Sequence, residues 1–311
     1  MPAIVTITLN PCVDISSSVD ALLPEKKLRC APLVYEAGGG GINVARAVKK
    51  LGGDVLAIYL AGGNAGNNLQ SLLQAEKLDT ALIDTGINTR VNVTMVDKAT
   101  ALQYRFVTAG NPIQEEYCDQ CIQTLQNLAD VEYIVISGSL QPGVPLDLFE
   151  RFSETAKQKK ARLIIDIPTE AMKKYPIKGA YLLKPNLNEL SMLAGKEELQ
   201  GDDIVKAARF IIDKEICEVV VISMGGAGAL LVTKDIKERF IPPPVKIKTT
   251  VGAGDSMVAG IVLYLAAKKN IKDAVRFGVA CGTAATLNEG TQLCHLEDAE
   301  RIYKEIQRVT E

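Results

Sequence analysis

The feature that most constrains this chain is a series of short apolar runs, each closed by a polar or glycine residue. Tyr133-Ile134-Val135-Ile136-Ser137, Arg162-Leu163-Ile164-Ile165-Asp166, Tyr181-Leu182-Leu183-Lys184 and Val219-Val220-Val221-Ile222-Ser223 alternate with segments of helical spacing. Runs apolar on both sides of a strand need a parallel sheet covered by helices on both faces. Ile4-Val5-Thr6-Ile7-Thr8-Leu9 and Val55-Leu56-Ala57-Ile58-Tyr59-Leu60 read the same way, and the pattern predicts helices over 69–78 and 115–128. Open α/β sheets bind ligands beyond the carboxyl ends of their strands. Asp14 falls just past the first strand, at that edge. Polar and apolar residues alternate in 15–35 and in 88–107, where Arg90 to Val96 and Gln103 to Val107 read as a hairpin. No repeat or linker divides the chain. The expectation is one α/β domain over 1–311 with a small β appendage built from about 15–35 and 88–107.

Charge and cysteine usage remove several function classes. Lys plus Arg number 35 against 37 Asp plus Glu, so nothing draws the chain to nucleic acid or to an anionic membrane. No apolar run approaches the roughly 20 residues of a membrane span. Met1 to Ile7 carries no basic start or cleavage pattern. Seven cysteines lie without a framework, which argues for reduced thiols in a cytoplasm. Cys118-x-x-Cys121 sits inside a polar helical pattern with no second pair, which speaks against zinc or redox chemistry. His295 is the only histidine, and no G-x-S-x-G elbow accompanies it.

Four glycine-rich or polar turns could carry chemistry. In Thr249-Thr250-Val251-Gly252-Ala253-Gly254-Asp255-Ser256 a glycine turn runs into an apolar helix. The free N–H groups and dipole of that helix start favour an anion, and Asp255 could cap the helix or act as a base. Taken alone, the stretch fits a capped buried helix equally well. Gly38-Gly39-Gly40-Gly41 precedes a helix from Ile42 to Leu51 and offers bare backbone to a ligand; Asn43 stands where a dinucleotide fingerprint would need its third glycine. Asn186 and Glu189, at a strand end and one turn on, could hold hydrated Mg²⁺ or simply form a capping box. Ser223-Met224-Gly225-Gly226-Ala227-Gly228 suits nucleotide phosphates or ribose, or a tight connection.

Taken in order, Asn10-Pro11 with Asp14, the glycine run with Asn43, Ser137-Gly138-Ser139-Leu140, the N-x-x-E of Asn186 and Glu189, and Gly252-Ala253-Gly254-Asp255 resemble the pfkB group of ribokinase-like carbohydrate kinases over essentially the whole chain. Glu36 to Asn43, Tyr104-Arg105-Phe106-Val107, Pro242-Pro243-Pro244-Val245 and Thr286-Leu287-Asn288-Glu289-Gly290-Thr291 look like the bacterial 6-phosphofructokinases of that group. The 1-phosphofructokinases and tagatose-6-phosphate kinases usually have lysine where this chain has Gly40. The resemblance implies a three-layer α/β/α fold with a mainly parallel sheet and a small β lid that also serves as a dimer clasp.

It also implies transfer of the γ-phosphoryl of MgATP to the 1-hydroxyl of fructose 6-phosphate, with Asp255 as base and the backbone of Gly252, Ala253 and Gly254 as anion hole. Sugar contacts would come from Asp14, Gly39, Gly40, Gly41 and Asn43, and the 6-phosphate would meet Arg90 and Ser139, with Arg105 a weaker candidate. Lys27 would bridge towards the nucleotide. Lys184, Asn186, Ser223, Gly225, Gly226, Gly228 and Thr283 would face ATP, and Glu189 with Asn186 would orient Mg²⁺ through water. Thr249, Val251, Ala285, Asn288 and Gly290 would line a monovalent cation loop, K⁺ being the candidate ion. The chain lacks the glycine fingerprint of a nicotinamide enzyme and the G-x-x-x-x-G-K-[ST] of a P-loop kinase. A non-catalytic sugar-phosphate sensor would be expected to lose Asp255. Ribose and nucleoside kinases have no use for Arg90 and Lys27 around a neutral sugar.

Overall fold

A computed structural model of the protein describes residues 3–288, 290 and 292–310. Glu289 and Thr291, within one of the family-like stretches, lie outside the described residues. Ten strands form one sheet. Seven run parallel in the order β11 (Cys217–Ser223), β10 (Ala180–Leu183), β9 (Arg162–Asp166), β8 (Tyr133–Ser137), β1 (Ile4–Thr8), β4 (Val55–Ala61) and β5 (Asp79–Asp84). β12 (Ala229–Val232), β13 (Lys237–Ile241) and β14 (Gln307–Thr310) extend it antiparallel beyond β11.

The apolar runs are buried on both faces, as their composition requires. Tyr133 and Val135 turn to one core with α1 (Gly40–Lys50), α8 (Ala253–Ala266), α9 (Ile271–Ala285) and α10 (Leu296–Glu305). Ile134 and Ile136 turn to the other, with α3 (Glu115–Asn127), α4 (Leu148–Lys159) and α7 (Asp202–Asp213). Successive strand residues thus divide between two apolar layers, giving helices on either side of one sheet. Cys118 and Cys121 are fully buried in the second core, and burial pushes both thiols up, so neither is poised as a thiolate.

A second sheet has the order β3 (Val34–Gly38), β2 (Cys12–Val19), β6 (Arg90–Asp97) and β7 (Leu102–Phe106), with β2 and β6 parallel. β6 and β7 form the expected hairpin. Three expectations need correction. Asp14 stands inside β2 of the small sheet, because the chain leaves β1 at Thr8 and pairs again from Cys12. Residues 20–33 contain no strand and β3 starts only at Val34: the short alternation read over 15–35 is broken by Pro24, which has no N–H for a ladder, and by the charged run that follows it. The helix expected over 69–78 is α2 (Gly63–Ala75), whose first turn is polar and glycine-rich and so hid its start.

Candidate active site

The carboxyl edge of the main sheet gathers the ends of β1, β8, β9, β10 and β11 with the N-termini of α1 and α8. Gly252 has φ +73° and turns the chain into α8. Ser256 N–H donates to Gly252 O at 2.9 Å, so the helical bonding begins there. The N–H groups of that first turn have no intrahelical partner and point at the edge. Asp255 lies in the same turn and makes no capping bond to the helix backbone. Its Oδ2 instead accepts from Asn43 Nδ2 at 2.9 Å, joining the starts of α8 and α1 across 212 residues of sequence.

Lys184, immediately after β10, is buried and its ammonium lies 3.5 Å from where a Cβ on Gly254 would sit. A Cβ at Gly254 would thus be in van der Waals contact with that ammonium. Lys184 also pairs with Asp166 at 3.1 Å, at the end of β9. Burial works most strongly against the ammonium, but the Asp166 carboxylate and, behind it, Glu189 and Asp255 together outweigh it and hold the lysine charged. Asp255 is pushed up to about 6, first by burial and then by the Asp166 charge; the Asn43 bond and Lys184 act in the opposite direction. A carboxyl tuned to that range can be ionised at neutral pH and still take a proton.

Around α1 the glycines are required by contact. Gly39 has φ +114°. A Cβ on Gly40 would lie 2.5 Å from the Gly138 nitrogen, and one on Gly41 2.5 Å from Ile7 O. The buried hydroxyls of Thr8 and Ser137, which have no hydrogen-bond partner, face the same two positions. On the neighbouring side Arg90 donates to Asn10 O from Nε and Nη2 (3.3 and 3.1 Å), to Thr108 O from Nη1 (3.1 Å) and to Ser139 Oγ from Nη2 (3.4 Å). Ser139 Oγ also accepts from Asn10 Nδ2 at 3.0 Å. Asp14 Oδ1 accepts from Asn92 Nδ2 at 2.9 Å, and the Cys12 thiol lies 3.4 Å from the same oxygen. A cavity of about 550 Å³ opens between the small sheet and Lys248, Thr249, Val251, Gly290 and Gln292, walled on the sheet side in part by Asp14, Asn92 and Arg105.

The other expected residues divide. Ser223 pairs by a β-bridge with Asn186, so the ends of β10 and β11 are side by side. The glycine turn follows at once as a 3₁₀ turn, Gly225–Ala227, and Gly228 (φ +88°) packs so tightly that a Cβ would meet Phe240 O. Thr283, on α9, donates to Val279 O. Asn186 and Glu189 make a complete capping box for α6 (Leu187–Leu193): Asn186 Oδ1 accepts from Glu189 N–H and Glu189 Oε2 from Asn186 N–H. Their simpler reading is therefore realised, and one carboxylate oxygen of Glu189 is left over from it. No group of three or more acidic, histidine or cysteine residues could cage a metal among the described residues. Lys248 and Thr249 N–H groups both reach Thr286 O, which sets Thr249 and Val251 beside the turn holding Ala285 and Asn288. Lys27 is exposed on the β2–β3 connection and Arg105 is exposed on β7.

Sequence reasoning missed Asp166 and Asn92. Asp166 closes an apolar strand run at the edge where ligands bind, and that position was its signal. Asn92 sits in an alternating strand and carried none.

A helix end open to an anion, a buried ammonium beside it and a carboxyl able to take a proton from a hydroxyl are the parts of a small-molecule kinase built on an α/β sheet. The chain belongs to the pfkB family of carbohydrate kinases, whose model matches residues 4–299. It is 42% identical over 309 residues to the ATP-dependent 6-phosphofructokinase isozyme 2 of Escherichia coli, covering 99% of this chain and 100% of that one. The structure of the E. coli phosphofructokinase-2 in complex with potassium superposes with a TM-score of 0.93 at 42% identity, covering 98% of this chain and 99% of the other. The same enzyme solved with substrates and products gives 0.90 at 43% identity, over 97% and 98% of the two chains.

The charge on Asp255 has a consequence for stability. Its carboxyl titrates near 6 when folded, against 3.8 ordinarily. Above about pH 6 the folded chain carries a disfavoured charge; below about pH 4 both states are protonated and the cost vanishes. Asp255→Asn is therefore expected to raise stability by about 1–3 kcal/mol at pH 8, with the gain shrinking as pH falls towards 4. Urea unfolding at the two pH values checks it. A helix cap would give the opposite result, a loss of about 0.5–2 kcal/mol.

Proposed function

We propose that the chain is an ATP-dependent 6-phosphofructokinase, moving the γ-phosphoryl of MgATP to the 1-hydroxyl of fructose 6-phosphate. The observation that carries the reaction type is Asp255 held by Asn43 at the start of α8, with the Lys184 ammonium against Gly254. In this reading Asp255 accepts the hydroxyl proton as the oxygen attacks the γ-phosphorus. The N–H groups of Gly252, Ala253 and Gly254 and the helix dipole take the charge of the transferring group, and Lys184 neutralises more of it. Asn43, fixed by the same bond, keeps the carboxylate directed at the sugar.

Arg90 and Ser139 are 3.4 Å apart, which offers the sugar's phosphate a cation with a hydroxyl alongside. Asp14, steadied by Asn92, would accept from sugar hydroxyls beside the bare backbone of Gly39, Gly40 and Gly41. Gly40 stands where the 1-phosphofructokinases and tagatose-6-phosphate kinases usually have lysine, and a side chain there would run into the Gly138 nitrogen. On the donor side the Asn186–Ser223 junction and the Gly225–Gly228 turn would lie under the nucleotide, with Thr283 beyond. Divalent magnesium, when bound, would supply charge neutralisation at the ATP phosphates. The spare oxygen of Glu189 and the Asp166 carboxylate suit such an ion, which keeps several waters and uses few carboxylates. The carbonyl-rich turns at Thr249, Val251, Ala285, Asn288 and Gly290 fit a K⁺ site. Lys27 would reach a nucleotide only if its connection folded over the site. The small sheet would act as a lid excluding water. Tyr35, Leu102, Tyr104 and Phe106 leave an exposed apolar face on it, suited to a second copy of this chain.

The deciding experiment is an ATP-coupled assay over fructose 6-phosphate, fructose 1-phosphate, tagatose 6-phosphate, fructose and ribose, with the product's phosphate position identified and K⁺ exchanged for Na⁺. Fructose 6-phosphate is expected to give the highest kcat/KM. Asp255→Asn should lower kcat on the order of 10²-fold or more with the fold intact; a drop under about fivefold removes it from the role. Arg90→Ala is expected to raise KM for the sugar phosphate far more than for ATP. If both rise together, the acceptor phosphate lies elsewhere. Sedimentation should find a dimer that Phe106→Glu with Tyr104→Glu weakens; a wild-type monomer would sink the clasp.

A further inference from the structure

Asn43 carries two ends of similar size, and only its NH₂ end can donate to Asp255. What fixes that choice lies one turn along α1. Arg46 is 4% exposed. Its Nη1 donates to Asn43 Oδ1 at 3.4 Å and to Ala37 O at 2.8 Å. Its Nε and Nη2 grip the Glu76 carboxylate at the end of α2, at 2.7–2.9 Å. A guanidinium has donors and no acceptor. The Asn43 amide must therefore present its oxygen to Arg46, and its NH₂ is turned to Asp255. The Ala37 bond ties the same guanidinium to the strand residue that leads into the glycine run. Glu76 is 35% exposed and anchors the fork from the solvent side.

We infer that Arg46 is a positioning residue of this site: it sets the orientation of the Asn43 amide, and through it holds the Asp255 carboxylate ionised and directed at the acceptor. The inference rests on the kinase reading for its effect on turnover, though not for its effect on Asp255. The groups facing Asp255 are Asn43 from α1, Asp14 and Cys12 from β2, Asp166 from the end of β9 and Lys184 beyond β10. Those facing Arg46 are Asn43, Glu76 and, through its charge, Lys50 on α1. Removing Arg46 frees the amide to turn its oxygen towards Asp255, where it would repel a carboxylate and accept from a carboxylic acid. Both changes favour the protonated form.

The test titrates Asp255 in the full-length chain labelled with ¹³C-carboxyl aspartate, the signal being assigned with Asp255→Asn. In Arg46→Met the midpoint is expected to rise by roughly half to one pH unit. The acid limb of kcat/KM should move with it, while KM for ATP stays within about twofold. In an Asn43→Ala background Arg46→Met should add no further shift. An unmoved midpoint in folded Arg46→Met, or equal shifts in both backgrounds, overturns the inference. Should Arg46→Met fail to fold, Arg46→Gln keeps buried hydrogen bonding while admitting either amide orientation. The same titrations then apply to it: a raised midpoint that Asn43→Ala abolishes supports the inference, and an unmoved one overturns it. Inactivity of the wild-type chain on every ketose phosphate would overturn the kinase reading alone, because the titration needs no turnover.

Discussion

A carboxylate at the start of an apolar helix is a costly group, and the surroundings of Asp255 pull its charge in opposite directions with the acid form favoured on balance. Burial and the Asp166 carboxylate push towards the acid form; Asn43 and Lys184 push towards the anion. Lys184 alone, unshared in a site of low dielectric, would hold the carboxylate firmly ionised and make it a poor base. Its pairing with Asp166 at 3.1 Å removes much of that effect. Asp166 thus acts on Asp255 twice, directly as a like charge and indirectly by occupying the lysine. The ammonium remains charged for an anion at the helix end, while the carboxyl stays near the range in which a proton can be taken and returned.

That balance holds only if two helix starts far apart in sequence stand close together. Asn43 reaches Asp255 because α1 begins hard against β1 and β8, with Gly41 over Ile7 O and Gly40 against Gly138. Side chains at either glycine would lift the helix by the width of a methyl group or more, and a 2.9 Å hydrogen bond does not survive such a shift. The positive φ of Gly39 is needed to turn β3 into α1 over so short a path. Fold and chemistry thus meet in backbone that has no room for side chains.

Much of this was legible in the sequence. Runs such as Tyr133 to Ser137 could be read as doubly buried strands because burial on both faces dictates their composition. The glycine turns before α1 and α8 could be read because close approach dictates theirs. Arg90 and Ser139 were linked through the family resemblance, and the structure does set them together. What stayed hidden depends on relations that no local pattern records. Asn92 looks like an ordinary polar residue in an alternating strand, and Arg46 like a charge on an amphipathic helix; each matters only through a partner placed by the tertiary fold. Asn186 and Glu189 show the converse. Their spacing fits a cap and a metal equally, and the capping box uses two backbone N–H groups and two side-chain oxygens without consuming the last carboxylate oxygen.

The site also divides along the chain. Asn10, Asp14, the glycine run, Asn43, Arg90, Asn92 and Ser139 come from the first half, while Asp166, Lys184, Ser223, the Gly225–Gly228 turn and Asp255 come from the second. In the proposed reaction this is a division between acceptor and donor, with the Asn43–Asp255 bond as the seam. The small sheet belongs wholly to the acceptor side: β2 carries Asp14, β6 carries Arg90 and Asn92, and β3 runs directly into the glycine turn of α1. A closing movement of that sheet would carry Asp14, Arg90 and Asn92 together and leave the nucleotide turns on the main sheet in place. Closure would then be driven by the acceptor, since only a ligand contacting both the sheet and the helix ends binds the closed form better than the open one. An enzyme so arranged would protect its donor phosphate from water until a sugar hydroxyl is present to take it.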